Sequence, residues 1–342
     1  MALVKYQFRP GINKELTSYA NEGGWTDSDK IRFRFGKPEK IGGWSKNSTN
    51  SFLGTCRALH TYKTSTLASY NSLGTHLKWY VQEGNTFYDI TPVDNTTAAG
   101  DVTFTATSGS TTLTVNDTAH NANPGDFVIF SGAATVGGNV TASVLNQEYQ
   151  IESTTTNTYT ITLAQASDHT GSGGGSNTVG TYLYGSGLDT FVSGTGWGAG
   201  VWGSGTWGST SPVAVFSQLR LWSIDNFGDK VISLIHNAQV FEWDSNATGA
   251  IQTRATIISG APTASRDMLV STPDRHLVFF GTETTIGTPS TKDEMFIRFS
   301  DQEDISDYTP TSVNTAGTFL SLIHISEPTR RRGISYAVFC LK

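Results

Sequence analysis

The sequence predicts an all-β protein: a partial β-propeller-like domain carrying an inserted small β-sandwich or barrel module. Three observations carry that expectation. Charged residues make up 15% of the 342 positions and glycines number 36, against usual shares of about 25% and about 7%. Aromatics reach 11%, which argues against disorder, and the composition lacks the Ala, Glu, Lys and Leu excess of a helical bundle. Apolar and polar residues alternate over short stretches between Gly, Pro and Asn turns, the period of a strand with one buried face.

The first segment, 1–97, opens the propeller-like domain. Val4, Tyr6 and Phe8 alternate with Lys5, Gln7 and Arg9, and Ile31, Phe33 and Phe35 alternate with Arg32 and Arg34. Leu77, Trp79 and Val81 follow the same rule. Glu83-Gly84-Asn85 then supplies a turn, and Thr86 to Ile90 returns as a strand. Thr91-Pro92 ends it, because Pro donates no ladder hydrogen bond.

The second segment, 98–180, is rich in Thr, Ser, Asn and Gly and poor in aromatics. Strands are expected at Val102–Ala106, Thr111–Val115, Phe127–Phe130, Glu148–Ser153 and Thr158–Leu163, with a strong turn at Asn123-Pro124-Gly125-Asp126. It reads as an independent module ending in a flexible Gly/Ser tract, Gly171 to Ser176. The third segment, 181–320, resumes the first style. Strands are expected at Val213–Phe216, Leu219–Ser223, Lys230–His236, Gln239–Trp243, Leu277–Phe280 and Met295–Phe299.

A degenerate repeat links the outer segments. Leu77–Val81, Val231–Ile235 and Leu277–Phe280 are each followed by a break and a second strand that ends aromatic, then Asp89, Asp244 or, one residue later, Asp301. This form suits the last strand pair of a propeller blade, and blades recur at about 40–50 residues. Val231 and Leu277 are 46 residues apart. Three or four blades are countable, whereas a closed propeller needs at least about four.

The chemistry-bearing residues form no catalytic pattern. The seven His make no zinc-binding spacing, no nucleophile elbow precedes a helix, and no phosphate loop or cofactor motif is present. Asp301, Glu303, Asp304 and Asp307 lack the spacing of a calcium loop and read as a solvated interblade loop. Trp197, Trp202 and Trp207 recur every five residues in a glycine-rich run, 194–208. They are candidates for contact with a partner or a glycan, with simple packing as the plainer reading. Arg32, Arg34, Lys37 and Lys40 form the main basic cluster; Arg32 and Arg34 are candidates for contact with a DNA backbone, against the plainer reading of a hydrated strand edge. The net charge of −6 gives no electrostatic reason to expect nucleic-acid wrapping. No apolar run of about 18 residues is present, so no membrane span is expected, and Cys56 and Cys340 are too few for a disulfide framework.

Three strings carry a family resemblance. Residues 9–44 read RPGINKELTSYANEGGWTDSDKIRFRFGKPEKIGGW, residues 221–244 LWSIDNFGDKVISLIHNAQVFEWD, and residues 298–317 RFSDQEDISDYTPTSVNTAG. With the glycine-aromatic run, they resemble the tail hub and nozzle proteins of short-tailed bacteriophages, the packaged-DNA stabilisation or head-completion type. The resemblance implies a non-enzymatic virion component assembled in the host cytoplasm, without cofactors. It implies a homo-oligomeric ring below the portal, with other tail and portal-adjacent proteins and packaged DNA as partners, and inserted β-modules on the outside. The alternative is a carbohydrate-binding adhesin or glycan-degrading tail protein. Residues 321–342 change character: LIHISEPTR resembles translated sequencing-adapter read-through, and the stretch holds four basic residues and one acid. Without it, 19 basic and 28 acidic residues remain, a net charge of −9. The chain is therefore expected to be an N-terminal fragment with a non-native tail.

Overall fold

The computed structural model describes residues 9–43, 45–46, 48–185, 187 and 219–320. The chain divides into two units, 1–49 and 50–342. In the first, β1 (Ile31–Arg34) and β2 (Lys37–Lys40) form an antiparallel hairpin closed by Phe35 and Gly36. Upstream of it, Ile12 bridges to Trp25, and the Trp25 and Phe33 rings meet edge-on at 6.1 Å.

The second unit is built of antiparallel sheets. Its first blade is a meander of β3 (Cys56–Lys63), β4 (Ser69–Thr75), β5 (Trp79–Glu83) and β6 (Thr86–Asp89). The module follows from the end of β6. One of its sheets holds β7 (Val93–Thr96), β10 (Phe127–Ser131), β11 (Glu148–Gln150) and β15 (Val179–Leu183). The other holds β8 (Thr103–Ala106), β9 (Thr112–Asn116), β12 (Ser153–Thr154), β13 (Thr158–Thr162) and β14 (Gly171–Gly173). A single helical turn, α1 (Ala142–Leu145), precedes β11.

Two further four-stranded meanders complete the described fold. One is β16 (Trp222–Phe227), β17 (Lys230–Ile235), β18 (Val240–Asp244) and β19 (Thr256–Ile257). The other is β20 (Ser265–Ser271), β21 (His276–Thr282), β22 (Phe296–Phe299) and β23 (Gly317–Leu320). The first strands lie beside one another: β16 packs against β3 on one side and β20 on the other. That is the propeller arrangement, in which each blade begins at the inner wall and ends at the outer edge.

Burial on both faces explains why β17, the second strand of its blade, is so apolar. On β17, Val231 and Ile235 enter one core with Tyr62, Trp79, Trp222, Phe241 and Trp243, whereas Ile232 and Leu234 enter another with Phe227, Met268, Leu277 and Phe279. The buried indoles are satisfied: Trp79 donates to Ser72 Oγ at 2.7 Å, Trp222 to the Thr75 carbonyl at 2.8 Å and Trp243 to the Ala250 carbonyl at 3.1 Å. The blades touch so closely at Gly74 that an added Cβ would lie 2.5 Å from Trp222 Cγ.

The module has its own core. Phe104, Leu113, Val115, Val128, Phe130, Tyr159 and Ile161 point inward, while Thr105, Ser153 and Thr160 pair across the outer surface. Among its buried polar groups, the Tyr182 hydroxyl donates to the buried Asp117 carboxylate and lies 2.9 Å from the Tyr159 hydroxyl.

Several sequence expectations need correction. The single strand expected over Glu148–Ser153 is a corner: β11 belongs to one sheet and β12 to the other. The tract expected to be flexible contains β14, whose Gly171–Gly173 backbone pairs with Phe104–Ala106 and whose Ser172 hydroxyl meets Thr105 at 2.9 Å. Where five strands were expected there are eight, β8 to β15, and β7 (Val93–Thr96), which precedes the expected start at 98, joins one of their sheets. The repeat is out of phase, since β5 and β6 end their blade but β17–β18 and β21–β22 are middle pairs. Asp301–Asp307 lies between β22 and β23, within a blade and not between blades. The strands expected at Val4–Phe8 and Val213–Phe216, the Trp–Gly run and residues 321–342 lie outside the described residues.

Candidate functional site

The most elaborate polar construction of the second unit sits where the module meets the blades. Lys78, in the turn between β4 and β5, is buried. Its ammonium donates to Asp89 Oδ2 at 2.8 Å and to Glu148 Oε1 on β11, and lies 4.5 Å from the Phe127 ring centroid. Arg254, from the connection between β18 and β19, approaches Asp89 at 3.3 Å and Glu148 at 3.8 Å, and donates to the Thr91 carbonyl at 2.9 Å. Two cations thus face two carboxylates drawn from two blades and the module. Asp89 also accepts from the Thr91 amide at 3.0 Å and its hydroxyl at 2.6 Å, so the Asp that ends β6 both shapes the turn and anchors the ions.

This balance decides the charge state. Burial alone would push the Asp89 carboxyl up, but Lys78 and Arg254 outweigh it and hold the group below the usual carboxylate range. A second link sits nearby: the buried Arg220 donates to the His76 carbonyl at 2.6 Å and approaches Asp126 of the module at 3.8 Å. Chemically, the assembly is a clamp that fixes the module by charges that are costly to separate in a poorly hydrated site.

Beside the clamp a cleft of about 220 Å³ opens between Asp94, His120, Asn121, Asn123, Asp126 and Tyr184. Burial raises both Asp94 and Asp126, and for Asp126 the neighbouring Asp94 adds to the rise while the Asn123 amide and Arg220 oppose it. His120 is pinned: its Nδ1 accepts from the Ala122 amide at 3.1 Å, so Nε2 carries the proton given to the Thr155 carbonyl at 2.9 Å. With both nitrogens engaged, this imidazole is a structural group.

The inner wall is closed by side chains, because neighbouring first strands share no backbone ladder. His60 on β3 meets Asn226 on β16 at 3.0 Å, and Ser65 donates twice to Asp229 at 2.6 Å. Asp225 on β16 accepts from the Val270 amide at 2.8 Å, and Ser223 donates to Asp267 on β20.

The residues singled out in the sequence fall elsewhere. Trp197, Trp202 and Trp207 lie outside the described residues. Arg32 and Arg34 project from one face of the hairpin of the first unit, Arg32 paired with Glu39 at 3.2 Å and Arg34 opposite Lys37. The acidic loop is held by its own hydrogen bonds: Asp301 accepts from the Thr315 amide at 2.7 Å and hydroxyl at 2.6 Å, and no cluster of three or more His, Cys, Asp or Glu able to hold a metal occurs among the described residues. The clamp itself was missed. Its one signal was Lys78 set inside the apolar run Leu77–Val81; Glu148 and Arg254 carry no local mark.

No known family profile and no curated protein matches the chain. Among solved structures, the phage phi92 endosialidase is similar at 13% identity and a TM-score of 0.22, over 77% of this chain and 47% of that chain. The chain therefore spans under half of that protein's length, and a likeness of this degree carries no argument about function. No helix among the described residues is long and apolar enough to cross a membrane.

Proposed function

We propose that the chain is a non-enzymatic structural component of a short-tailed phage virion, part of the tail tube or hub below the portal that retains and conducts packaged DNA. The observation that carries this reading is the arrangement of the second unit. Blade first strands stand side by side as a continuous polar wall, and the module hangs from the outer strand β6, fixed by the Lys78–Asp89–Glu148–Arg254 clamp. A rigid wall with a clamped outer appendage suits a conduit better than a reactive cleft. The tail-protein strings fall on distinct parts of it: residues 221–244 cover β16 to β18, and residues 298–317 join β22 to β23. Mass spectrometry of purified virions, with negative-stain images of the recombinant chain, tests the proposal. Stoichiometric presence and rings are expected; absence from virions refutes it.

The cleft beside the clamp favours a second reading, a glycan-binding tail protein. Its carboxylates and amides resemble donors and acceptors for sugar hydroxyls, beside the Tyr184 ring. A glycan array comparing the wild type with Asp94→Ala and Trp202→Ala separates the two readings. Specific glycan retention lost in either variant supports the second, and no retention removes it.

A further inference from the structure

The first unit presents an apolar and basic surface that it does not bury. Among its described residues only Asn21 is buried, while Tyr19 is 95% and Phe35 92% exposed, and Ile12, Leu16 and Ile41 are exposed as well. A stretch of this size rarely supports a core of its own, and five large apolar side chains in water mark a contact surface.

The hairpin tip carries two further anomalies. Phe35 and Gly36 have φ of 51° and 76°, the geometry of a type I′ turn whose first position strongly favours Asn, Asp or Gly. A bulky Phe there is an outlier, and such outliers point to a functional demand. Arg34 and Lys37 lie directly opposite each other across the ladder, a like-charge pair that weakens a hairpin. The Arg34 guanidinium sits 5.4 Å from the Phe35 ring centroid, so ring and charge are presented together. Both anomalies are relieved by one kind of partner: an acidic surface with an apolar recess.

The chain itself supplies that charge. Residues 1–49 hold nine basic and five acidic residues, a net +4, whereas residues 50–320 hold ten basic and 23 acidic residues, a net −13. We propose that the Arg34–Phe35–Lys37 tip docks on the acidic second unit of another copy, making the head-to-tail contact that closes a ring. Two different surfaces of one chain are what a heterologous, ring-forming interface requires. This rests on the ring expected of a tail component. The exposed apolar residues favour a protein partner over a phosphate backbone, which would satisfy the cations and leave the rings wet.

The test uses the full chain, with mass photometry and negative-stain images at low and high salt. Phe35→Asn supplies the residue the turn prefers, so hydrogen-exchange protection of Ile31–Lys40 should hold or rise while self-association weakens at least tenfold. Arg34→Glu with Lys37→Glu should give the same loss, and salt should mimic it, since exposed charges are screened within about 10 Å at 0.1 M and about 3 Å at 1 M. Rings that persist in both variants overturn the inference and leave the ring reading standing. A wild type that stays monomeric in every condition overturns both. Binding to a short DNA duplex that the double variant loses while rings persist makes nucleic acid the occupant and also overturns the inference.

Discussion

Replacing Lys78 by Met would leave Asp89 and Glu148 sharing the single charge of Arg254. The Lys78 side chain is 4% exposed and its ammonium touches both carboxylates. Removing one member of a buried ion cluster costs about 3–5 kcal/mol when the charge left behind is fully buried and unpaired; here Asp89 and Glu148 keep 21% and 29% of their side-chain surface exposed. Arg254 remains 3.3 Å from Asp89, which places the cost near the lower end, about 3 kcal/mol. Adding Glu148→Gln restores a one-to-one pair of Asp89 with Arg254, so the double variant should lose only about 1 kcal/mol, about 2 kcal/mol less than Lys78→Met alone. Urea unfolding of the four proteins of the cycle measures it. A single-variant loss below about 1 kcal/mol, or a double variant that loses the sum of the two singles, would refute the clamp.

Three other outcomes follow from the same structure. Asp89 lies below its unfolded value near about 3.9, so its contribution is present above that pH and lost as pH falls through the lower folded value. Asp126 is raised, so it favours the fold at low pH and that gain is lost as pH rises through its folded value; urea midpoints across the acid range should show Asp126→Asn removing that decline and Asp89→Asn lowering stability at neutral pH. Gly74→Ala drives a methyl to 2.5 Å from Trp222 Cγ and should cost about 1–3 kcal/mol, with a change in near-ultraviolet dichroism as the indole shifts. Tyr182→Phe takes the donor from Asp117, which is 5% exposed, and should lower the unfolding midpoint by an amount equivalent to about 1–3 kcal/mol.

The legibility of the blades varied with how their strands are buried. Lys230–Ile235 faces cores on both sides, and His276–Thr282 buries Leu277 and Phe279 in one core with Val278 and Phe280 half-buried on its other face, so both read as apolar runs and their spacing of 46 residues was visible. In the first blade β4 reads SYNSLGT. Its Gly74 admits Trp222 and its Ser72 receives the Trp79 indole, so the strand lacks an apolar signature and the repeat was assigned the wrong phase. β14 was taken for a linker because its glycines pair by backbone alone.

By itself, the sequence determined the all-β class and the turns at Gly84, Pro124–Gly125 and Asn237, because alternation and turn chemistry act over a few neighbouring residues. Tertiary structure alone decided the clamp and the wall. Lys78 and Glu148 are 70 residues apart in the chain, and Thr91 and Arg254 are 163 apart. Glu148 and Arg254 look like ordinary surface charges in their own segments. Only their burial at one junction, where a lone ion would be costly and a balanced set is not, gives them their role.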